Sequence, residues 1–210
     1  MRVLKSILAI TIFAFVAVSC SDSNDNLPDE VIAKQVVNLH AKQITDYSVH
    51  PVIASGEFIK FSFKTGDIVT GNNWDIAFRG TIILVNGGGV TGITNEPERT
   101  GTASLVLLEN TFSDVKEVPS DANFRQDAAN VLALPKSTWY SYNPTDHSIN
   151  PVTGKIIVVK TIDGNYAKME VLSYYKDMDS SNSADPENSG AQYYTFNYVY
   201  NPNIGDKFFQ

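Results

Sequence analysis

Cysteine is almost missing from this chain. Its 210 residues hold one, Cys20, so no internal disulfide can form and no Cys/His zinc set can be assembled. Histidine is nearly as scarce, with only His40, His50 and His147. HExxH is absent, and His40 and His50, ten apart in an extended region, do not have a metal-ligand spacing. There is no G-x-S-x-G elbow and no EF-hand loop. Nothing demands an enzyme, and none is expected. Positive charge is also short: 16 Lys and Arg stand against 23 Asp and Glu, a net charge of −7. Nucleic acid needs a concentrated basic patch, so it is not an expected partner. Beyond the first twenty residues there is no second long apolar run, and the body is not expected to span a membrane.

What is present begins with "MRVLKSILAITIFAFVAVSC". A short basic head (Arg2, Lys5) precedes an apolar run from Ile7 to Val18, interrupted by Thr11. That length suits a secretory leader and is short for a membrane span. "AVSC" resembles a bacterial lipobox, with Ala17 in place of the usual Leu. A lone cysteine in an exported chain has no disulfide partner, and lipidation at Cys20 supplies a reason for it. The polar, acidic "SDSNDNLPDE" follows. It reads as a flexible tether and resembles the surface-export signal of Bacteroidetes lipoproteins. The expected organisation is a leader over 1–19, a tether over 20–30 after lipidated Cys20, and one domain over 31–210. The expected location is the outer membrane, exposed on the cell surface.

The body reads as strands. "FIKFSF" alternates apolar and polar residues, and "NNWDIAFRGTIILVN" (Asn72 to Asn86) is rich in aromatic and β-branched residues. "TASLVLLE", "KIIVVKTI", "YAKMEVLSYY" and "QYYTFNYVYN" continue the pattern, with "DGN" as a hairpin turn between the second and third. Tyr194, Phe196, Tyr198 and Tyr200 fall on one strand face, most simply a packing face. "VIAKQVVNLHAKQI" leans to strand. "SDANFRQDAANVLAL" predicts a short helix capped by Ser120 or Asp121 and ended by Pro135. "DMDSSNSADPENSG" (Asp177 to Gly190) reads as a mobile polar loop, its Asp177, Asp179 and Asp185 a solvated acidic cluster rather than a cation site. Gly87, Gly89 and Gly92 form a literal G-x-G-x-x-G, but Pro97 and the lack of a helical period deny it the helix that a dinucleotide site needs. "WYSYN" reads as a strand and "PTDHSINP" as the loop after it, carrying His147.

Three stretches together resemble the HmuY family, haem-binding lipoproteins of Bacteroidetes. The first is "KFSFKTGDIVTGNNWDIAFRGTIILVNGG", through Phe61, Ser62, Phe63, Gly66, Asp67, Val69, Asn73, Trp74, Asp75 and Ala77. The second is the hairpin from Val158 to Lys168, and the third is "YTFNYVY". They span about residue 57 to residue 200 in the family's order. The resemblance implies an all-β fold of multi-stranded antiparallel sheets, packed as a single domain with few or no helices. It implies haem held between loops at one end of the sheets, taken up free or from haem-carrying host proteins. It also implies delivery to a TonB-dependent outer-membrane receptor for iron acquisition, with the membrane touched only through the lipid anchor. Two axial ligands are implied, histidines in the best-known member and methionines in others. Carried over, the first ligand position falls near Ala103 and Ser104 and the second near Asn143 and Pro144, with His147 the nearest candidate. Tyr140, Tyr142 and Met178 are the further haem-binding candidates, while Met169 reads as packed. Two readings stay open: a haemophore, or an HmuY-fold module that has lost haem and binds another small ligand, a glycan or a protein.

Overall fold

Alternation in "IAKQVVNLH" and the long aromatic runs near the C-terminus build the larger of two main sheets. The computed structural model describes residues 27–185 and 189–210; the leader, Cys20 and the first part of the tether lie outside them. Among the described residues the chain forms thirteen strands. β1 (Ile32–His40), β8 (Ser104–Glu109), β11 (Lys155–Lys160), β12 (Tyr166–Tyr175) and β13 (Ala191–Asn201) make a five-stranded antiparallel sheet in the order β1-β13-β12-β11-β8. β4 (Ile59–Ser62), β5 (Asp67–Ile68), β6 (Ile76–Arg79) and β7 (Ile82–Val85) make a four-stranded antiparallel sheet in the order β5-β4-β6-β7. Two hairpins stand apart, β2 (Ile44–Asp46) with β3 (Ile53–Ser55) and β9 (Tyr140–Tyr142) with β10 (Ile149–Pro151).

The main core lies between the two large sheets. Phe61, Phe63, Ile76, Phe78, Ile83 and Val85 of the smaller sheet region meet Ile157, Val159, Met169 and the Tyr194, Phe196, Tyr198, Tyr200 face of β13. Phe61 meets Phe196 edge-on at 5.5 Å, and Phe78 meets Tyr194 at 4.8 Å. Each fully buried apolar side chain contributes about 1.5–3 kcal/mol, so the aromatic face of β13 is the principal cement between the sheets. Alternate residues face outward and are covered as well. Trp74, Ala77, Ile82 and Leu84 pack under Val69, Ile93 and Leu132, while Ile156, Val158 and Val199 pack under Val115, Val118 and Phe209. Strands covered on both faces read as continuous apolar runs, which is why β6 and β7 show little alternation.

The all-β expectation holds, with one local correction in the segment before Pro135. The run from Asn72 to Asn86 divides into two strands of a hairpin, β6 and β7. It turns at Gly80, whose φ of +51° suits glycine. The helix expected over 120–134 is a single 3-10 turn, Asp121–Asn123, with Ser120 in the cap position making no side-chain cap bond. The rest of that segment is spent on the sheet edge instead. Arg125 and Leu105 exchange backbone hydrogen bonds at 2.8 and 2.9 Å, and Ala133 donates to the Asp127 carboxylate at 2.9 Å. The glycine-rich loop carries no helix, as expected. A Cβ at Gly87 would lie 2.0 Å from the Ala103 carbonyl oxygen and one at Gly88 2.0 Å from that of Asp127, so close backbone approach explains both glycines.

Candidate functional site

Strand register gives the molecule two ends. At the tether end, Asp29 and Asn203 exchange two hydrogen bonds of 2.8 Å, and Ile32, Tyr200, Tyr166, Lys160 and Ser104 lie at the same level across the larger sheet. At the far end lie His40, Tyr193, Ala191 and Tyr175. Tyr166 and Tyr175 are nine residues apart on β12, which at the rise of a strand is roughly 30 Å.

The two carried-over ligand positions fall at opposite ends. Ala103 is fully buried and begins the run into β8, its amide donating to the Asn86 carbonyl at 2.9 Å. Ser104 pairs with Lys160 at the tether end. Asn143 and His147 belong to the β9–β10 hairpin, which is tied to the far end where the Ile149 amide donates to the Tyr175 hydroxyl at 2.8 Å. One iron cannot take a ligand from each of these positions.

The far end gathers the remaining candidates. The Tyr142 hydroxyl and His147 Nδ1 share a hydrogen bond of 2.5 Å. With Nδ1–H donating to the phenolic oxygen, Nε2 keeps its lone pair, the arrangement in which a ligating imidazole is oriented by its outer partner. His147 is exposed and held at φ +58°, Asp146 capping the turn by accepting from Ser148 N at 3.0 Å. Tyr140 is more deeply engaged. Its ring packs edge-on against Trp139 at 4.8 Å, and its hydroxyl lies 3.2 Å from Ser137 Oγ and 3.4 Å from Thr81 Oγ1. Met178 follows Tyr175 by three residues in a 3-10 turn, Lys176–Met178, and is 53% exposed. Met169 is wholly buried in the main core, as the sequence suggests.

His40 was not singled out by its spacing, yet it lies at this end, stacked flat on Tyr193 with ring centroids 4.1 Å apart. Burial first, and then Lys42, lowers its pKa. No sequence signal marks it, because the pairing His40↔Tyr193 joins residues 153 positions apart. Next to it the β2–β3 hairpin leaves Ile44, Tyr47, Val52 and Ile53 exposed. Backbone strain concentrates here too. Among the described residues eight non-glycine residues have positive φ, and Asn38, His147, Asp177, Met178 and Gln192 of these lie at the far end. Such conformations cost about 1–3 kcal/mol each and cluster where function constrains the chain.

The tether end is different in kind. A cleft of about 640 Å³ opens there between Ser62, Lys64, Thr70, Asn73, Ile162 and Asp163, bordered by the exposed Lys64–Asp163 ion pair at 3.1 Å. Among the described residues no group of three or more His, Cys, Asp and Glu could hold a metal ion. Asp177 and Asp179 turn their carboxylates to Asn38 Nδ2 at 2.7 Å and Ser181 N at 2.9 Å.

The family model described as HmuY protein matches residues 55–198. An apo HmuY analogue from Tannerella forsythia is 17% identical, with 84% of this chain and 99% of that chain covered and a TM-score of 0.46. A Bacteroides vulgatus protein described as HmuY-like and heme-binding is 12% identical over 83% of this chain and 93% of that one, with a TM-score of 0.44. A Bacteroides fragilis protein described as a lipoprotein is 12% identical over 82% and 90%, with a TM-score of 0.42. Among curated proteins none matches.

Proposed function

The chain belongs to the HmuY family over residues 55–198, and from that premise we propose that it is a surface lipoprotein that binds haem at the far end of its sheets and passes it to an outer-membrane receptor, without enzymatic turnover. Family membership is the observation that carries this reading. The chemistry of the far end supports it: an exposed imidazole whose Nδ1 is occupied by Tyr142 and whose Nε2 is free, an exposed thioether at Met178, and aliphatic surface on β2–β3.

Haem supplies an iron that takes axial imidazole or thioether ligands. In this reading His147 is one ligand and Tyr142 fixes its tautomer and ring plane. The β2–β3 hairpin and the Tyr193–His40 stack offer apolar and aromatic surface to a flat ligand, burial being the main source of affinity for such a molecule. The lipid on Cys20 and the acidic tether keep the domain at the membrane while the far end, roughly 30 Å along the sheet, faces away from the anchor.

Titration of the full chain, purified in detergent, with haemin tests the proposal. A saturable shift of the Soret band is expected. A spectrum identical to free haemin at every ratio overturns it. That second result would favour an HmuY-fold module that has lost haem, a reading to which the buried, non-ligating Ala103 at the first carried-over position lends support.

A further inference from the structure

The cleft at the tether end has a second chamber. Beyond the Lys64–Asp163 ion pair lies a space of about 460 Å³, walled by Asp29, Ile32, Asn165, Tyr200, Pro202 and Ile204. The pair borders both chambers, and its side chains are 66% and 42% exposed. Asn165 is the feature that points to a ligand. It is 4% exposed, and its Nδ2 donates to the Tyr200 hydroxyl at 2.8 Å and to the Pro202 carbonyl at 3.2 Å. Those two bonds fix which way the carboxamide faces. Its Oδ1 is therefore an acceptor in the wall of the chamber, and no donor among the described residues reaches it. Leaving a buried acceptor unpaired is costly, and such an atom calls for a partner. The Tyr200 hydroxyl, which accepts from Asn165, keeps its own proton to donate.

The lining selects the class of partner. Lys64 is the one cation among the lining residues of the two chambers, and Asp163 neutralises it, while Asp29 adds a further carboxylate. That balance disfavours phosphates and other anions. Tyr200 is 1% exposed, so a flat aromatic ligand finds no open ring to stack on. What the walls offer is hydroxyl and amide groups at Ser62, Thr70, Asn73 and Asn165, with aliphatic surface at Ile68 and Ile204. A hydroxyl is neutral and both donates and accepts. A ligand carrying several hydroxyls on a ring of C–H groups matches both kinds of surface. We propose that the double cleft is a carbohydrate site, with a saccharide lying across Lys64 and Asp163, Asn165 Oδ1 accepting from one ring hydroxyl and the Asp163 carboxylate from two adjacent ones. Asn165 Oδ1 is hidden from bulk water, so the saccharide reaches it by parting the ion pair. Exposed ion pairs contribute little to stability, and both charges then meet hydroxyls. This site lies away from the far end and does not rest on the haem reading.

Nuclear magnetic resonance of the full chain, isotopically labelled and held in a detergent without a sugar headgroup, tests the site with maltose, cellobiose, lactose and N,N′-diacetylchitobiose. At least one of these should shift the backbone amides of Lys64, Gly71 and Gly164 and the side-chain amide of Asn165 in a saturable way, leaving the amides of His40 and His147 in place. Asp163→Ala and Asp163→Asn should each weaken that titration by about tenfold or more, the effect of losing a hydrogen bond to a charged group. Their urea midpoints should match the wild type, because the ion pair they remove is exposed. Added haemin should leave the saccharide titration unaltered. Absence of saturable shifts with all four disaccharides overturns the carbohydrate reading, and shifts of the same amides by methylammonium chloride in their place would make this a cation site instead. Equal affinity in both Asp163 variants overturns the placement across the ion pair. Loss of saccharide binding on adding haemin overturns the independence of the two sites. A chain that leaves haemin unaltered overturns the haem reading and leaves this one standing.

Discussion

The two ends of the molecule use polar residues in opposite ways. At the tether end several of them are buried and multiply bonded. Asn86 donates to the carbonyls of Asn72 and Trp74 at 2.9 and 2.8 Å and accepts from the amides of Thr100 and Gly101 at 2.9 and 3.0 Å. Asp75 receives the amides of Phe63 and Ile162 at 2.8 and 3.0 Å, and burial pushes its carboxyl up despite them. Arg99 lies between Glu96 and Asp127 at 2.6 and 2.9 Å, all three hidden from water. These groups pin loops to both large sheets. At the far end the ligand-type side chains of His147 and Met178 are exposed, and both sit on a left-handed backbone. A closed polar network stabilises; an open, strained one has its chemistry free for a ligand.

The contrast can be broken or sharpened by experiment. Asn86→Ala removes four hydrogen bonds to two carbonyls and two amides and should cost about 4 kcal/mol, at about 1 kcal/mol per lost bond. A urea midpoint unmoved by this change would mean that these bonds do not anchor the tether end. His147→Ala should leave that midpoint in place and lower haemin affinity beyond the roughly 100-fold that marks loss of an outer-shell partner. Equal affinity would remove His147 from the site. Tyr142→Phe keeps the ring and deletes the partner of Nδ1. About a tenfold weaker titration is expected, with stability within about 0.5 kcal/mol of the wild type.

The smallest effect concerns Lys168, in the tether half of β12. It is 4% exposed and donates to the carbonyls of Phe112 and Val115 at 2.6 and 2.8 Å over the Phe112 ring. Burial lowers its pKa from the ordinary lysine value. The unfolded chain therefore binds this proton more tightly than the native one, and stability should rise as pH climbs through the lowered folded value toward about 10.5. The urea midpoint of the wild type should rise relative to that of Lys168→Met between about pH 7 and about pH 10, and a gap that stays constant would contradict the lowered value. Haemin affinity should be unaffected.

Much of the scaffold was legible from the residues. Trp74, Asp75 and the Asn86 that ends the strand run are the words on which the family resemblance rests, and all three are buried. Asp75 and Asn86 close loops by side-chain hydrogen bonds to backbone groups far from them in the chain. The "DGN" turn bends at Gly164, φ +83°, between β11 and β12. The helix over 120–134 was misjudged because its polar and apolar spacing is also satisfied by an edge segment bonded to Leu105 and Asp127, partners far away in sequence. That the carried-over ligand positions lie at opposite ends of the sheet could not be read from the sequence, for a related reason. Counting along the chain gives a place in the strand order but not which end of a strand it occupies.

The sequence by itself determined an acidic β-protein of the HmuY family with a lone cysteine and an aromatic strand face suited to packing, because strand period, turn glycines and aromatic faces are local features. Only the tertiary structure decided which candidates share an end. Asn38 and Asp177 are 139 residues apart, and His147 reaches Met178's neighbourhood only through Tyr175. Register across antiparallel strands brings such residues together, and register is set by the packing of whole sheet faces, which no single stretch of residues contains.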